Sequence, residues 1–227
     1  DQDPWQAYMD DSPYKGAYER ISQHINVSCF ALTTQWWVDF IRDRGHPSVF
    51  VRMWVLPEYC DKGPTYLERD HVAGFIGTIH PRRRVLLDIV EKAGIRVHTG
   101  SNSLTYHAFM QALHGLCCFI HNEDMIIHVD GQELNFNTGM WVKDIETAAR
   151  GCFSIRGKGL GSETYLADIG TVRLYDDIEQ VPDIIRAIER MDPAMRQATI
   201  NDTVENIRGS DVWAVTARSL IEHSLNS

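Results

Sequence analysis

The chain has 227 residues, of which 44% are hydrophobic and 23% charged, with a formal net charge of −9. That length and composition suit a globular protein with one sizeable core, and the lack of any apolar run near the roughly 20 residues of a membrane span argues against an integral membrane protein. The acidic balance argues against broad nucleic-acid binding, because such binding draws on an excess of Lys and Arg, and no basic-then-apolar secretory signal opens the chain.

Residues 1–13 are acidic with two prolines and read as a flexible N-terminal arm. Tyr18, Ile21 and Ile25 then recur at helical spacing, and Val27 to Leu32 reads as a short strand. Thr33 or Thr34 can cap a helix carrying Trp36, Trp37, Phe40 and Ile41. Val49 to Leu56 reads as a strand ended by Pro57. Residues 57–80 contain Gly63-Pro64, Gly74 and Gly77 and read as a long loop with a short helix around Tyr66 to Val72. Pro81 opens a helix with Val85, Leu86, Ile89 and Val90 inward and Gly94 at its stop. Arg82, Arg83 and Arg84 at its start are either a solvated face or a contact for an anionic ligand. Ile95 to His98 is a strand, and residues 104–113 place Tyr106, Phe109, Met110 and Leu113 on one helical face.

The stretch from His114 to Asp130 reads as a hairpin. Cys117 to Ile120 and Met125 to Val129 form its arms, and Asn122-Glu123-Asp124 its turn. Asp130-Gly131 is a further turn signal, followed by a strand from Leu134 to Val142. A short helix over 144–150 and strands at Cys152 to Arg156 and Thr171 to Tyr175 follow. From Ile178 the pattern is helical. This order predicts an α/β domain over 14–177, a mixed sheet with helices on both faces, and a helical C-terminal segment over 178–227 packed on it. The five cysteines are odd in number and include no C-x-x-C, which argues for a reducing, cytoplasmic setting and against a disulfide framework or zinc knuckle.

Three constellations carry chemistry. His107, His114, His121 and His128 surround the hairpin; they suit acid/base or nucleophilic work, or are polar residues at strand ends bonded to backbone. No complete metal-ligand or cofactor motif accompanies them, so neither a metal nor a cofactor is expected, though a divalent ion held by His121, His128 and Glu123 or Asp124 is the remaining reading. Arg156-Gly157-Lys158-Gly159-Leu160-Gly161-Ser162 follows a strand directly; its glycines can converge backbone N–H groups, with Arg156 and Lys158 as anion clamps, or it is a surface loop. Asn102 and Ser103 follow another strand end, as substrate contacts or turn residues.

The element order around residues 81–98, the hairpin, Phe136-Asn137-Thr138-Gly139-Met140-Trp141 and Cys152 to Gly157 resembles the phospholipase D-like fold over roughly residues 15–175. That family carries H-x-K-x4-D on its hairpin. In one register His114 takes the histidine, Leu116 the lysine and His121 the aspartate. In another, His121 takes the histidine, Glu123 the lysine and Asp130, after a two-residue insertion, the aspartate. The lysine is missing in both. The resemblance implies a transferase or hydrolase acting on a phosphate- or ester-linked small anionic substrate. His114 would lead as nucleophile or base, with His121 as partner and His107 in reserve. Because the family pairs two motifs, it also implies a homodimer. The alternative is a non-catalytic ligand-sensing or dimerisation module of the same fold.

Overall fold

Two stretches of the chain build separate apolar clusters, and the larger surrounds a parallel sheet. The structure is a computed structural model. It describes residues 5–100, 103–121, 126–135, 142–159, 161–210 and 213–225.

The smaller cluster is aromatic. Helix α1 (Trp5–Tyr8), α2 (Ala17–His24), strand β1 (Phe30–Leu32), α3 (Gln35–Arg42) and strand β2 (Ser48–Phe50) build most of it. Tyr8 meets Trp37 and Phe40 with ring centroids 6.3 and 5.0 Å apart. Ala7 and Tyr8 are buried, so this part of the acidic segment packs into the lobe. β1 and β2 run parallel, and their register ends at Leu32 and Phe50. The strand expected over Val49 to Leu56 is therefore cut short. β1 offers only three partners, and beyond them the apolar run serves packing: Val55 is fully buried in the main core.

The main unit follows a 3-10 turn, Tyr66–Glu68, closed by a capping box between Thr65 and Glu68. In chain order come β3 (His71–Ile76), α4 (Pro81–Lys92), β4 (Val97–Gly100), α5 (Tyr106–Leu113) and β5 (Leu116–His121). After these stand β6 (Ile126–Val129), β7 (Gln132–Asn135), α6 (Val142–Ala149), β8 (Phe153–Gly157), α7 (Ser162–Tyr165) and β9 (Val172–Tyr175). Helices α8 (Val181–Arg190), α9 (Pro193–Ser210) and α10 (Trp213–Leu225) complete the described chain.

The five-stranded sheet has the order β4-β3-β5-β8-β9, and every pairing in it is parallel. The expected mixed sheet is thus corrected to a parallel one. Parallel neighbours need long crossovers, and the intervening helices provide them. Helix α4 contacts α8, while α5 contacts α6 and α6 contacts α9. Right-handed crossovers running in opposite directions from β3 put these two groups on opposite faces. No described helix is long and apolar enough to cross a membrane.

The hairpin over 116–129 is also corrected. All six residues of β5 are buried, and both its edges are taken, by β3 and by β8. A strand with no free edge has no place for an antiparallel partner. The hairpin forms one step later, between β6 and β7, around Asp130-Gly131. Asp130 has φ 49°, as a two-residue primed turn requires. The proposed earlier turn, Asn122 to Asp124, lies outside the described residues. This hairpin leaves the sheet and packs Ile127, Val129 and Leu134 into the aromatic lobe. The central motif hairpin of a phospholipase D-like unit is therefore absent among the described residues.

Strand β3 lies inside the stretch read as a loop. Gly74 looks like a breaker, but a Cβ there would meet Leu116 Cδ2 at 2.6 Å and the His98 carbonyl oxygen at 3.1 Å. The glycine permits close approach within the sheet.

Candidate functional site

In open α/β sheets, ligands bind outside the carboxyl ends of the strands, where the strand order reverses. Counted along the sheet by chain position, the order here is second, first, third, fourth, fifth. The reversal falls between β3 and β5, whose carboxyl ends are Ile76 and His121. The β3–α4 turn and the starts of α5 and α6 meet at this edge.

A cleft of about 360 Å³ opens there, lined by Ile76, Gly77, Tyr106, Phe109, Lys143 and Glu146. A second cavity of about 550 Å³ shares Tyr106 and Glu146 with it and continues past Met53, Trp54 and Leu220. Gly77 has φ +145°, and a Cβ on it would meet Phe75 Cζ at 3.3 Å and Lys143 Nζ at 3.8 Å. A side chain is thereby kept off the cleft wall, and a ligand gains close access to backbone. Just beyond, α4 begins with Pro81, and its N-cap residue His80 makes no side-chain cap hydrogen bond. Arg83 donates to the Thr78 carbonyl at 2.8 Å and sits over the Phe75 ring.

Glu146 is 4% exposed. Burial pushes its carboxyl pKa up, while the Tyr106 hydroxyl, which donates to it, and the nearby Lys143 pull it down. Lys143 forms no ion pair with a described residue. The cleft thus presents a buried carboxylate and an ammonium, with the N-terminus of α4 following the turn that lines it. A carboxylate accepts hydrogen bonds from hydroxyls; an ammonium and a helix start attract anions.

Behind the cleft lies a buried polar network. His121 is 1% exposed, and Asp144 and Arg156 are fully buried. His121 Nε2 stands 3.0 Å from Asp144 Oδ1 and 3.2 Å from Ser154 Oγ. The Arg156 guanidinium donates to Asp144 Oδ2 at 2.6 Å. The other ring nitrogen of His121, Nδ1, has no hydrogen-bond partner among the described residues.

Of the candidates read from sequence, the structure brings His121 and Arg156 together, joined by Asp144. It does not bring His114 to His121. His114 ends α5 ahead of β5, and the two histidines stand at opposite ends of that strand, about 16 Å apart by strand rise. His114 Nε2 lies 2.9 Å from the Asp61 carbonyl oxygen and Nδ1 2.8 Å from the Arg150 guanidinium. Burial lowers its pKa. Nearby, Arg69 donates to the carbonyls of Leu116, Lys62 and Arg150, so this end of the sheet is tied by backbone bonds. His107 lies exposed on the first turn of α5, 3.4 Å from the Tyr59 hydroxyl. Lys158 Nζ pairs with Asp176 at 2.9 Å. Ser103 is exposed in the turn before α5, and Asn102 lies outside the described residues. The described residues hold no group of three or more His, Cys, Asp or Glu side chains placed to bind a metal.

Asp144 and Glu146 escaped the sequence reading. They stand two apart on a helix, a spacing that directs side chains to different sides, so nothing in the local pattern marks both as buried. The available signal was indirect: β8 is buried along its whole length, so the helix leading into it must be covered too.

No family model and no curated protein matches the sequence. Solved structures do match in shape. Sucrose-phosphate synthase from Thermosynechococcus elongatus superposes with a TM-score of 0.58 at 13% identity, over 88% of this chain and 58% of that one. The Anabaena protein HepE in complex with UDP-glucose gives 0.61 at 12%, over 93% and 66%. WaaG, a glycosyltransferase involved in lipopolysaccharide biosynthesis, gives 0.58 at 13%, over 92% and 66%. The chain spans less than two thirds of the length of each. At such identities the likeness shows the fold: a Rossmann-like α/β unit of the kind found in glycosyltransferases of the GT-B fold. It overturns the phospholipase D-like assignment. The homodimer rested on pairing two phospholipase D motifs and lapses with that assignment.

Proposed function

We propose that the chain is the nucleotide-sugar-binding part of a glycosyltransferase. One observation carries the reading: at the strand-order reversal, a glycine turn, an ammonium and a buried carboxylate line one cleft. The bound UDP-glucose of the structurally similar HepE supports it.

In glycosyl transfer the bond from the sugar's anomeric carbon to the diphosphate oxygen breaks. An acceptor oxygen takes the anomeric carbon and gives up its proton, and the diphosphate departs as an anion. Charge therefore grows on the leaving diphosphate in the transition state, where preorganised cations and backbone N–H groups act most strongly. Lys143 and the start of α4 meet that charge. Glu146 accepts hydrogen bonds from ligand hydroxyls, its orientation held by Tyr106. Gly77 lets the phosphates approach backbone. The small anionic ligand and the transferase half of the reading from sequence fit this role, with glycosyl transfer in place of histidine chemistry on a phosphate- or ester-linked substrate. The ligand-sensing alternative is not favoured by these neighbours.

Calorimetric titration with UDP and with UDP-glucose tests the reading. Both are expected to bind. Lys143→Ala should weaken both ligands, and Glu146→Gln should weaken them by roughly tenfold, the loss of a charge-assisted hydrogen bond. Absence of binding by the unmodified protein would refute it.

A further inference from the structure

The starting turn of α6 has two working sides. Lys143 and Glu146 face the cleft, and Asp144 between them faces the sheet. Asp144 Oδ1 meets His121 Nε2 from the end of β5 and accepts from Ser154 Oγ of β8 at 3.5 Å, while its Oδ2 accepts from Arg156 at the end of β8. These two strand ends are neighbours, with His121 paired to Arg156 in register. A single carboxylate thus pins the helix start across two adjacent strands.

We propose that Asp144, His121 and Arg156 are positioning residues that set the rotation of α6, and through it the placement of Lys143 and Glu146 in the cleft. This rests on the nucleotide-sugar reading for its ligand, though not for its geometry. Apolar side chains of like volume would hold a helix to a sheet at least as firmly. What they lack is direction: an ionised carboxylate with a separate donor on each oxygen accepts one orientation. Because Asp144 is ionised against Arg156, it only accepts, so Nε2 of His121 carries the proton. With Nδ1 unpartnered among the described residues, the ring is oriented from its Nε2 side. Thr147 tightens the same turn, its hydroxyl donating to the Lys143 carbonyl at 2.6 Å.

The test uses His121→Leu and His121→Gln, each alone and combined with Lys143→Ala. The glutamine amide nitrogen reaches the place of Nε2 and keeps the bond to Asp144; leucine does not. Two quantities are read: affinity for UDP by calorimetry, and amide hydrogen exchange across residues 142–149. His121→Leu is expected to weaken UDP by about tenfold, within the range of coupled neighbours, and to speed exchange in that segment. His121→Gln should stay within about twofold of the unmodified protein in both. In the Lys143→Ala background, His121→Leu should cost clearly less affinity than it does alone, because only the part of its effect that runs through Glu146 remains. Full additivity of the two losses, or unchanged exchange in His121→Leu, overturns the proposal. Should His121→Leu fail to fold, Ser154→Ala perturbs the same carboxylate more gently and must show the same pattern at smaller amplitude. If the unmodified protein binds no UDP, the nucleotide-sugar reading falls, and the exchange measurement still decides the positioning role.

Discussion

Replacing Asp144 by Asn keeps the side chain's shape and removes the charge shared by Arg156 and His121. Arg156 is fully buried and meets Asp144 at 2.6 Å, so its guanidinium would lose its counter-charge in a site without water access. Breaking a buried ion pair from one side costs about 3–5 kcal/mol. For a chain of this size each kcal/mol moves the melting temperature by about 2–4 °C, so the expected fall is about 6–20 °C. The assay is thermal melting followed by circular dichroism at pH 7, with Asp144→Leu/Arg156→Met as companion. Removing both charges leaves neither stranded, and the pair should melt well above the sum of its single losses. A melting point for Asp144→Asn within about 2 °C of the parent would refute the reasoning, since it would mean that a loss of under 1 kcal/mol follows from breaking the pair. Strict additivity in the double variant would do the same.

Two further outcomes concern pH. Burial lowers the pKa of His114, so the native state resists a proton that the unfolded chain accepts. Stability from this site is present above the unfolded value of about 6.5 and is lost as pH falls through the lowered native value. Urea midpoints should drop between pH 7.5 and 5.5, and drop less in His114→Gln; equal drops would contradict the assignment. Glu146 runs the other way. Its raised pKa means that the native state holds the proton more tightly, so its contribution is present below the unfolded value of about 4.3 and lost as pH rises. Glu146→Gln should therefore raise the melting temperature at pH 7, with the gain shrinking toward pH 4, even as UDP binding weakens. A gain independent of pH would show that its carboxylate is not the cause.

Much of the secondary structure was legible because its signals are local. Pro81 and Gly94 bracket α4, the periodicity of Tyr106 to Leu113 marks α5, and Asp130-Gly131 makes its own hairpin turn. The apolar run Leu116 to Ile120 of β5 reads as a strand because a strand buried on both faces is apolar along its length. Strand direction was not legible. The run Leu116 to His121 is equally compatible with a hairpin arm and with the centre of a parallel sheet, and the choice depends on partners far away in sequence, His71 and Phe153 among them. Gly74 reads as a breaker until the neighbouring strands that crowd it are in place.

The candidate site divides along the same line. His121 and Arg156 stand out in sequence as polar residues ending apolar strands, and both are at the carboxyl edge of the sheet. His114 looks equivalent to His121 in sequence, yet strand length separates them, because a chain that enters one edge of a sheet leaves by the other. Asp144, Glu146 and Lys143 belong to a helix that looks solvated on its own; only packing against β8 and α9 buries its start and turns two carboxylates to different tasks. Sequence by itself determined much of where the chain would coil and extend, with β3 and the end of β2 as exceptions, since a few neighbouring residues decide most of it. Tertiary structure alone decided which strand ends meet and which charges lose water, because both depend on contacts between residues tens of positions apart.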